Sequence, residues 1–388
     1  MSRPSIMLIA GEVSGDQRAA SLIRAMKCHP ALANASFFGA GGSSMKEAGM
    51  ETLIDLTGHA VIGHLDAIRN YFKFRGFFQQ LLREAIDRRP ALLILVDYSG
   101  FNLRFAKALK THARGRNGWD LKIVYYVSPQ LWASREGRSK VMAENVDLLL
   151  SIIPFEKQWY AERLPAFPVE FVGHPLLDEF EDKPPVFGKA TEARRPPHIL
   201  LLPGSRKAEV SRHLPLLLET AGKLWESHHA TFTLVVPSDE LLTYCHENGG
   251  DAEHIQLQKG KTREALAKAD LALTKSGTIT MECALYGVPA IVFYITNPLI
   301  YFLGRRLIKV PYLAMPNLIA NESVFPEFIQ GEATADNLVR EALSLLSDVE
   351  RRNKVMESLR QVAESLGAKG GCNRAAELVG NQLKLLKE

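Results

Sequence analysis

The hydrophobic pattern along the chain alternates between two periods. Short apolar, β-rich runs at 6–10, 92–96, 123–127 and 148–152 are each followed by a loop and then by an amphipathic stretch. That alternation predicts a parallel sheet with crossover helices. Residues 178–197, DEFEDKPPVFGKATEARRPP, lose the periodicity and collect prolines and charges, which predicts an interdomain linker. A second alternating series starts at HILLLPGSRKAEV and continues through TFTLVVPSDE, LALTKSGTITMEC and PAIVFYITN. The expected fold class is α/β: two facing Rossmann-like domains with parallel sheets, 1–177 and 198–388, with the last helices able to pack back on the first domain. In open sheets of this kind ligands bind outside the carboxyl ends of the strands, so the loops after these runs are where chemistry is expected.

Composition narrows the class. A chain of 388 residues, 46% hydrophobic and 23% charged, has the apolar content for two cores. No stretch reads as a membrane span, and the N-terminus lacks the cleavage pattern of a signal peptide, so a cytoplasmic protein is expected. Cys28, Cys245, Cys283 and Cys372 have neither pairing nor metal-ligand spacing, which fits a reducing compartment. A net charge of +4 is too small to indicate nucleic acid and is compatible with an anionic substrate or surface.

Several motifs fail on spacing. GAGGSS at 39–44 supplies two glycines of a dinucleotide fingerprint, but the third position is Ser44 and no first strand leads into it. GKT at 260–262 resembles the tail of a P-loop, yet Ile255 stands where its first glycine belongs. His59, His64, His228 and His229 lack companions at ligand spacing, so neither metal nor other cofactor is expected.

Two loops of the second half suit phosphate. Gly204 and Ser205 follow a buried strand and lead to Arg206, whose guanidinium can grip phosphate oxygens bidentately. Ser276, Gly277 and Thr278 open a helix whose free N–H groups favour an anion, with Lys275 alongside. Either loop alone reads equally as a helix cap and a surface cation. Together on one sheet they favour a diphosphate, and Glu282, one turn beyond Thr278, is placed to accept ribose hydroxyls. A nucleotide diphosphate ligand is expected.

In order along nearly the whole chain, GEVSGD at 11–16, SPQLWA at 128–133, FVGHP at 171–175, LPGSR at 202–206 and SGT at 276–278 resemble the lipid-A-disaccharide synthase family. The resemblance implies a metal-independent inverting glycosyltransferase of the GT-B architecture. It implies UDP-2,3-diacylglucosamine as donor and 2,3-diacylglucosamine 1-phosphate as acceptor, giving the β-1,6-linked disaccharide 1-phosphate and UDP. The chain departs from the family at DYSGFN, 97–102, which keeps the first acid and the Phe-Asn pair but lacks a second acid. Ser134 replaces a second Trp and Glu322 an Arg, so no role is carried to those positions.

Inverting transfer needs a base for the acceptor hydroxyl and stabilisation of the departing UDP. Asp97, ending the run LLILVD, is the expected base, with capping of the helix near Phe101 as its structural alternative. Glu12 is the second catalytic candidate. Asp16 or Ser14 is expected to cap the helix that follows, and Gly11 and Gly15 to permit the turn.

Residues 66–89 crowd Tyr71, Phe72, Phe74, Phe77 and Phe78 together, with four cations and no acids between Arg69 and Arg83. The reading is an interfacial helix on an anionic membrane, Phe72, Phe74, Phe77 and Phe78 entering the headgroup region, against a core helix with a basic edge. PLIYFLGRRLIKVPYL, 298–313, has the same character. Diacylated substrates would then be drawn from the inner face of the bacterial inner membrane. The rival readings are another UDP-hexosamine enzyme of the same fold, a muramyl-lipid N-acetylglucosaminyltransferase or a UDP-GlcNAc 2-epimerase, and a non-catalytic peripheral lipid-binding protein.

Overall fold

The computed structural model describes residues 3–57, 67–115, 118–179 and 196–385. The chain divides into two units, one of Met1–Glu181 with Leu366–Glu388 and one of Asp182–Ser365. Most of the segment read as a linker lies outside the described residues.

In the first unit the order is β1 (Ser5–Ala10), α1 (Val13–Cys28), β2 (Ser36–Gly41), α2 (Ser43–Glu47), β3 (Glu51–Asp55), α3 (Ala67–Arg88), β4 (Leu92–Val96), α4 (Ser99–Arg114), β5 (Lys122–Tyr126), α5 (Arg138–Asn145), β6 (Leu148–Ser151), α6 (Glu156–Arg163) and β7 (Val169–Phe171). The second unit holds β8 (His198–Leu202), α7 (Lys207–His228), β9 (Thr231–Val236), α8 (Asp239–Glu247), β10 (Ile255–Lys259), α9 (Thr262–Leu266), β11 (Leu271–Lys275), α10 (Ile279–Leu285), β12 (Ala290–Tyr294), α11 (Pro298–Leu307), α12 (Met315–Ala320), β13 (Glu327–Ile329), α13 (Ala335–Ser347) and α14 (Val349–Ser365). The final helix, α15 (Gly371–Lys384), belongs to the first unit and packs on α1, where Gly380 leaves room for the ring of His29.

Both sheets are parallel, ordered β3-β2-β1-β4-β5-β6-β7 and β10-β9-β8-β11-β12-β13. Their central strands, LLILV in β4 and HILLL in β8, are apolar on both faces because helices cover both sides. In each sheet the chain runs outward from one central strand in one direction and from its neighbour in the other. The switch falls between β1 and β4 in the first unit and between β8 and β11 in the second, and there a crevice opens at the strands' carboxyl ends.

Helix α3 corrects the interfacial reading in part. Its first nine residues begin a span whose Leu81, Leu82 and Ala85 are buried, and Phe74, Phe77 and Phe78 pack against the core. Phe78 meets Phe101 and Phe105 of α4 edge-on at 5.4 and 5.5 Å. Of the four phenylalanines assigned to lipid, only Phe72, 64% exposed, points to solvent. The aromatics that looked surplus to one apolar stripe are used because α4 supplies a second aromatic face for them. Residues 58–66 and the side chains at 67–71 lie outside the described part of this segment.

Candidate active site

Parallel pairing of β1 with β4 sets Ala10 beside Val96, so Gly11-Glu12 and Asp97-Tyr98 leave the first sheet together. Asp97 and Tyr98 both sit in the left-handed region, at φ 48° and 49°, and Val127, just past the neighbouring β5, does so at 64°. Such angles are uncommon for non-glycine residues and costly for a β-branched one, so the surrounding structure must hold them. Asn102 does so from α4, donating its side-chain amide to the carbonyls of Val96 at 3.2 Å and Asp97 at 2.8 Å. The Tyr125 hydroxyl donates to the same Asp97 carbonyl, and the Asp97 N–H donates to the Tyr126 carbonyl at 3.3 Å.

With its backbone tied, Asp97 turns its carboxylate over its own elbow, where it accepts the Tyr98 N–H at 2.9 Å. Helix α4 receives no side-chain cap at its N-terminus, so capping does not account for this carboxylate. Burial pushes the Asp97 carboxyl above its ordinary value and the nearby charge of Glu12 adds to this, while Arg18 and the Tyr98 N–H oppose it. A carboxylate raised in this way accepts protons better at neutral pH than an ordinary aspartate does. Glu12 is exposed and stands at the N-cap of α1 without a capping bond.

Arg18, which sequence reasoning did not single out, acts electrostatically on Asp97, Tyr126 and His174. Burial, with Arg18 adding, pushes the His174 imidazole down to about 3. The ring is therefore neutral, and its Nδ1 accepts the Leu176 N–H at 3.2 Å. The signal in the sequence was its place within FVGHP.

Asp16 has a different role from the one expected. It caps α2 rather than its own helix, accepting the N–H groups of Gly42 at 2.7 Å, Ser44 at 3.0 Å and Met45 at 3.2 Å while nearly fully buried. The GAGGSS run is thus a turn closed on a carboxylate.

In the second unit, pairing of β8 with β11 sets Leu202 beside Thr274, so the two phosphate-type loops leave their sheet side by side. Gly204 at φ 128° and Gly277 at 154° supply backbone conformations that side chains rarely adopt. Beneath them Glu209 accepts the Ser205 N–H at 3.1 Å, pairs with Lys275 at 3.2 Å and lies 3.9 Å from Arg206. Burial raises the Glu209 carboxyl, but Lys275, the Ser205 N–H and Arg206 outweigh it and hold the group below its usual range. Lys275 is therefore a tie between the loops, while Arg206 remains 77% exposed at its side chain and turned to solvent.

Thr278 stands at the N-cap of α10 but makes no capping bond; the Ser276 hydroxyl donates to the Leu313 carbonyl at 3.1 Å, and Thr280 donates to the Gly277 carbonyl at 2.8 Å. Glu282, on the next turn, lies 4.0 Å from Arg263. Two supports escaped the sequence. Buried His213 on α7 joins the strand ends: Nδ1 meets the Pro203 carbonyl at 2.7 Å and Nε2 lies 3.1 Å from the Ile295 carbonyl and 3.2 Å from its N–H, while burial lowers its pKa against the pull of the two carbonyls. Glu327 gathers the N–H groups of Leu313 and Ala314 and the amide of Asn317, fixing the segment against which Ser276 rests.

An open cavity of about 440 Å³ lies elsewhere in the first unit, lined in part by Ser21, Arg24, Asp178, Lys369 and Cys372. Its Asp178 is committed to the N–H groups of Gly370, Gly371 and Cys372, and no sequence-predicted site residue lines it. Among the described residues no three His, Cys, Asp or Glu side chains gather as a ligand set.

A family model described as lipid-A-disaccharide synthetase matches residues 6–380. A lipid-A-disaccharide synthase of Trichlorobacter lovleyi is 37% identical over 392 residues, spanning 98% of each chain. One of Solibacter usitatus is 35% identical over 377 residues and 96% of each. Among solved structures, the glycotransferase of kitacinnamycin superposes with a TM-score of 0.67 at 17% identity over 99% of this chain and 100% of that one. The UDP-GlcNAc 2-epimerase of Methanocaldococcus jannaschii, in complex with UDP-GlcNAc and UDP, gives 0.59 at 12% identity over 98% and 100%. At such identities the two structures establish a shared fold.

Proposed function

The chain belongs to the lipid-A-disaccharide synthase family and is a glycosyltransferase; from that premise we propose that it transfers 2,3-diacylglucosamine from its UDP derivative to 2,3-diacylglucosamine 1-phosphate, with inversion. The observation that carries the residue assignment is that the loops at 11–16 and 97–102 in the first unit, and at 203–206 and 276–278 in the second, leave their sheets at the topological switch point.

In this reading Asp97 takes the proton from the acceptor hydroxyl as that oxygen attacks the anomeric carbon. The bond to UDP breaks, and the leaving diphosphate gains charge. Arg206 and the N–H groups of the 204–205 and 276–278 loops receive that charge, and Glu282 holds the ribose. Burial and, after it, the charge of Glu12 keep Asp97 basic, and Arg18 limits that effect.

Substrates with two acyl chains apiece stay in a bilayer, which favours an enzyme that works at the surface. Among the described residues no helix is long and apolar enough to cross a membrane. A peripheral site on α11 and the two residues after it has the right chemistry: Leu299, Phe302, Leu307 and Ile308 are exposed, Arg306 lies 4.4 Å over the Phe302 ring, and Arg305 and Lys309 flank them with no acid in the run 298–313.

The decisive assay supplies UDP-diacylglucosamine and the monosaccharide 1-phosphate in mixed micelles and scores UDP and disaccharide together. Turnover of UDP-GlcNAc without disaccharide from the lipid pair would overturn the reading in favour of an epimerase-type activity.

A further inference from the structure

At the first residue of α6 stands Glu156, fully buried, whose carboxyl joins two segments that leave the first sheet. Its Oε1 accepts the indole N–H of Trp132 at 2.9 Å, and its Oε2 lies 2.5 Å from the Ser151 hydroxyl at the end of β6. Trp132 belongs to the 128–133 loop, which leaves β5 next to the Asp97 elbow, and its ring packs edge-on against Phe155 at 4.9 Å.

The hydrogens around Ser151 can be counted. The Ser151 oxygen lies within bonding distance of the Ile153 carbonyl at 2.9 Å, of the Ile153 N–H at 3.3 Å and of Glu156. One hydroxyl carries one hydrogen, so it cannot donate both to the Ile153 carbonyl and to an ionised Glu156. A protonated Glu156 removes the conflict: it donates to the Ser151 oxygen, Ser151 donates to the Ile153 carbonyl, and the other carboxyl oxygen still accepts from Trp132. The groups facing the carboxyl are the Ser128 and Ser151 hydroxyls, the Trp132 indole, the Ile153 N–H and the Tyr160 phenol, with no cation among them. Burial pushes the carboxyl up to about 7, in agreement with the count.

We propose that Glu156 is a positioning residue for the transfer reaction, a neutral carboxylic acid that pins Trp132 and thereby fixes the 128–133 loop beside Asp97. The inference rests on the reading that the reaction occurs at that edge. Glu156 touches no substrate; it acts through Trp132. A glutamine reproduces the neutral acid, donating to Ser151 and accepting from Trp132, whereas an alanine leaves the buried Trp132 indole N–H without its acceptor and Ser151 with Ile153 alone. Ionisation at alkaline pH puts an unpaired charge there and favours release of the loop.

The test measures disaccharide formation between pH 6 and 9, UDP affinity, and near-UV circular dichroism for the wild type, E156Q, E156A, W132F and the W132F/E156A pair. E156Q is expected to keep kcat and the acceptor KM within about threefold at pH 6.5 and to lose less activity than the wild type toward pH 9. E156A is expected to lower kcat/KM for the acceptor by tenfold or more with UDP affinity unchanged, and adding W132F to it should lower the rate little further. A folded E156A with wild-type kinetics would overturn the proposal, as would an E156Q as impaired as E156A. Should E156A fail to fold, the pH profile of E156Q decides, and one superimposable on the wild type overturns it. A wild type that forms no disaccharide overturns instead the functional reading, and this inference with it.

Discussion

The ring of Tyr98 occupies the space that a side chain on Gly11 would need: a β-carbon built on Gly11 would lie 2.3 Å from the Tyr98 Cδ1 and 2.5 Å from its Cγ. The loops after β1 and β4 are thereby fitted to each other across the switch point. Since the clash reaches back to Cγ, Tyr98 can yield only by leaving its χ1 rotamer or by shifting its backbone, and either disturbs the elbow that holds Asp97. Gly11→Ala should therefore lower kcat at least tenfold while leaving UDP affinity intact. Isothermal titration with UDP beside initial rates separates the two; a variant with normal turnover would show that the elbow tolerates displacement.

Asp97→Asn should lower kcat by a factor on the order of 10² to 10⁴, the usual contribution of a general base, without weakening UDP. The pH profile carries a sign. A base works deprotonated, so the rate should rise with pH through the raised pKa of Asp97. Glu12→Gln removes a charge that raises that pKa and should move the acid limb to lower pH, whereas Arg18→Ala should move it to higher pH. Opposite shifts would exclude Asp97 as the group observed.

On the nucleotide side, Arg206→Ala should weaken UDP and slow transfer together, because the diphosphate contact strengthens as charge develops. Glu282→Ala should chiefly raise the donor KM, since ribose contacts change little on the way to the transition state. Calorimetric UDP titration of both variants checks this, and unchanged affinity in both would move the nucleotide elsewhere.

Much of this arrangement was legible in the sequence because it is local. The run LLILV forms the strand where its apolar pattern puts it, and the paired loops at 204–206 and 276–278 emerge side by side. What escaped depends on partners distant in the chain. Asp16 is a cap, but its acceptors' partners are N–H groups 26 to 29 residues away, which no local spacing reveals. Phe74, Phe77 and Phe78 are apolar in any reading; that α4 and the core cover them is decided by packing.

Membrane contact can be tested on α11 without touching the core. Replacing Leu299 and Phe302 by serine, or Arg305, Arg306 and Lys309 by glutamine, should reduce sedimentation with anionic vesicles severalfold, the second set losing its effect at high salt, with thermal unfolding little changed. The triple Phe74, Phe77 and Phe78→Ser change should instead unfold the first unit, because it buries hydroxyls in place of packed rings. Vesicle binding unaffected by either α11 set would remove this helix from the interface.

Stability should also depend on pH through Glu156. A carboxyl raised from 4.5 to about 7 stabilises the fold fully below pH 4.5 and loses that contribution as pH rises through 7. The loss amounts to roughly 3 kcal/mol at most, taking about 1.4 kcal/mol per pKa unit. Comparing melting temperatures of the wild type and E156Q at pH 5 and pH 8 reads it directly. The glutamine variant should gain relative to the wild type at the higher pH, and a constant difference would mean that Glu156 does not titrate in this range.

Because Leu366–Glu388 return to the first unit, the second is in connectivity an insert within the first, entered and left by separate crossings of the chain. Cutting after Ser365 would not free two intact halves. It would strip α15 from α1 and bare the face of α1 on which it packs, so an isolated first unit must carry its last helix through a new junction. The second unit, by contrast, begins and ends at those crossings, so it is the continuous piece to express alone and test for UDP binding.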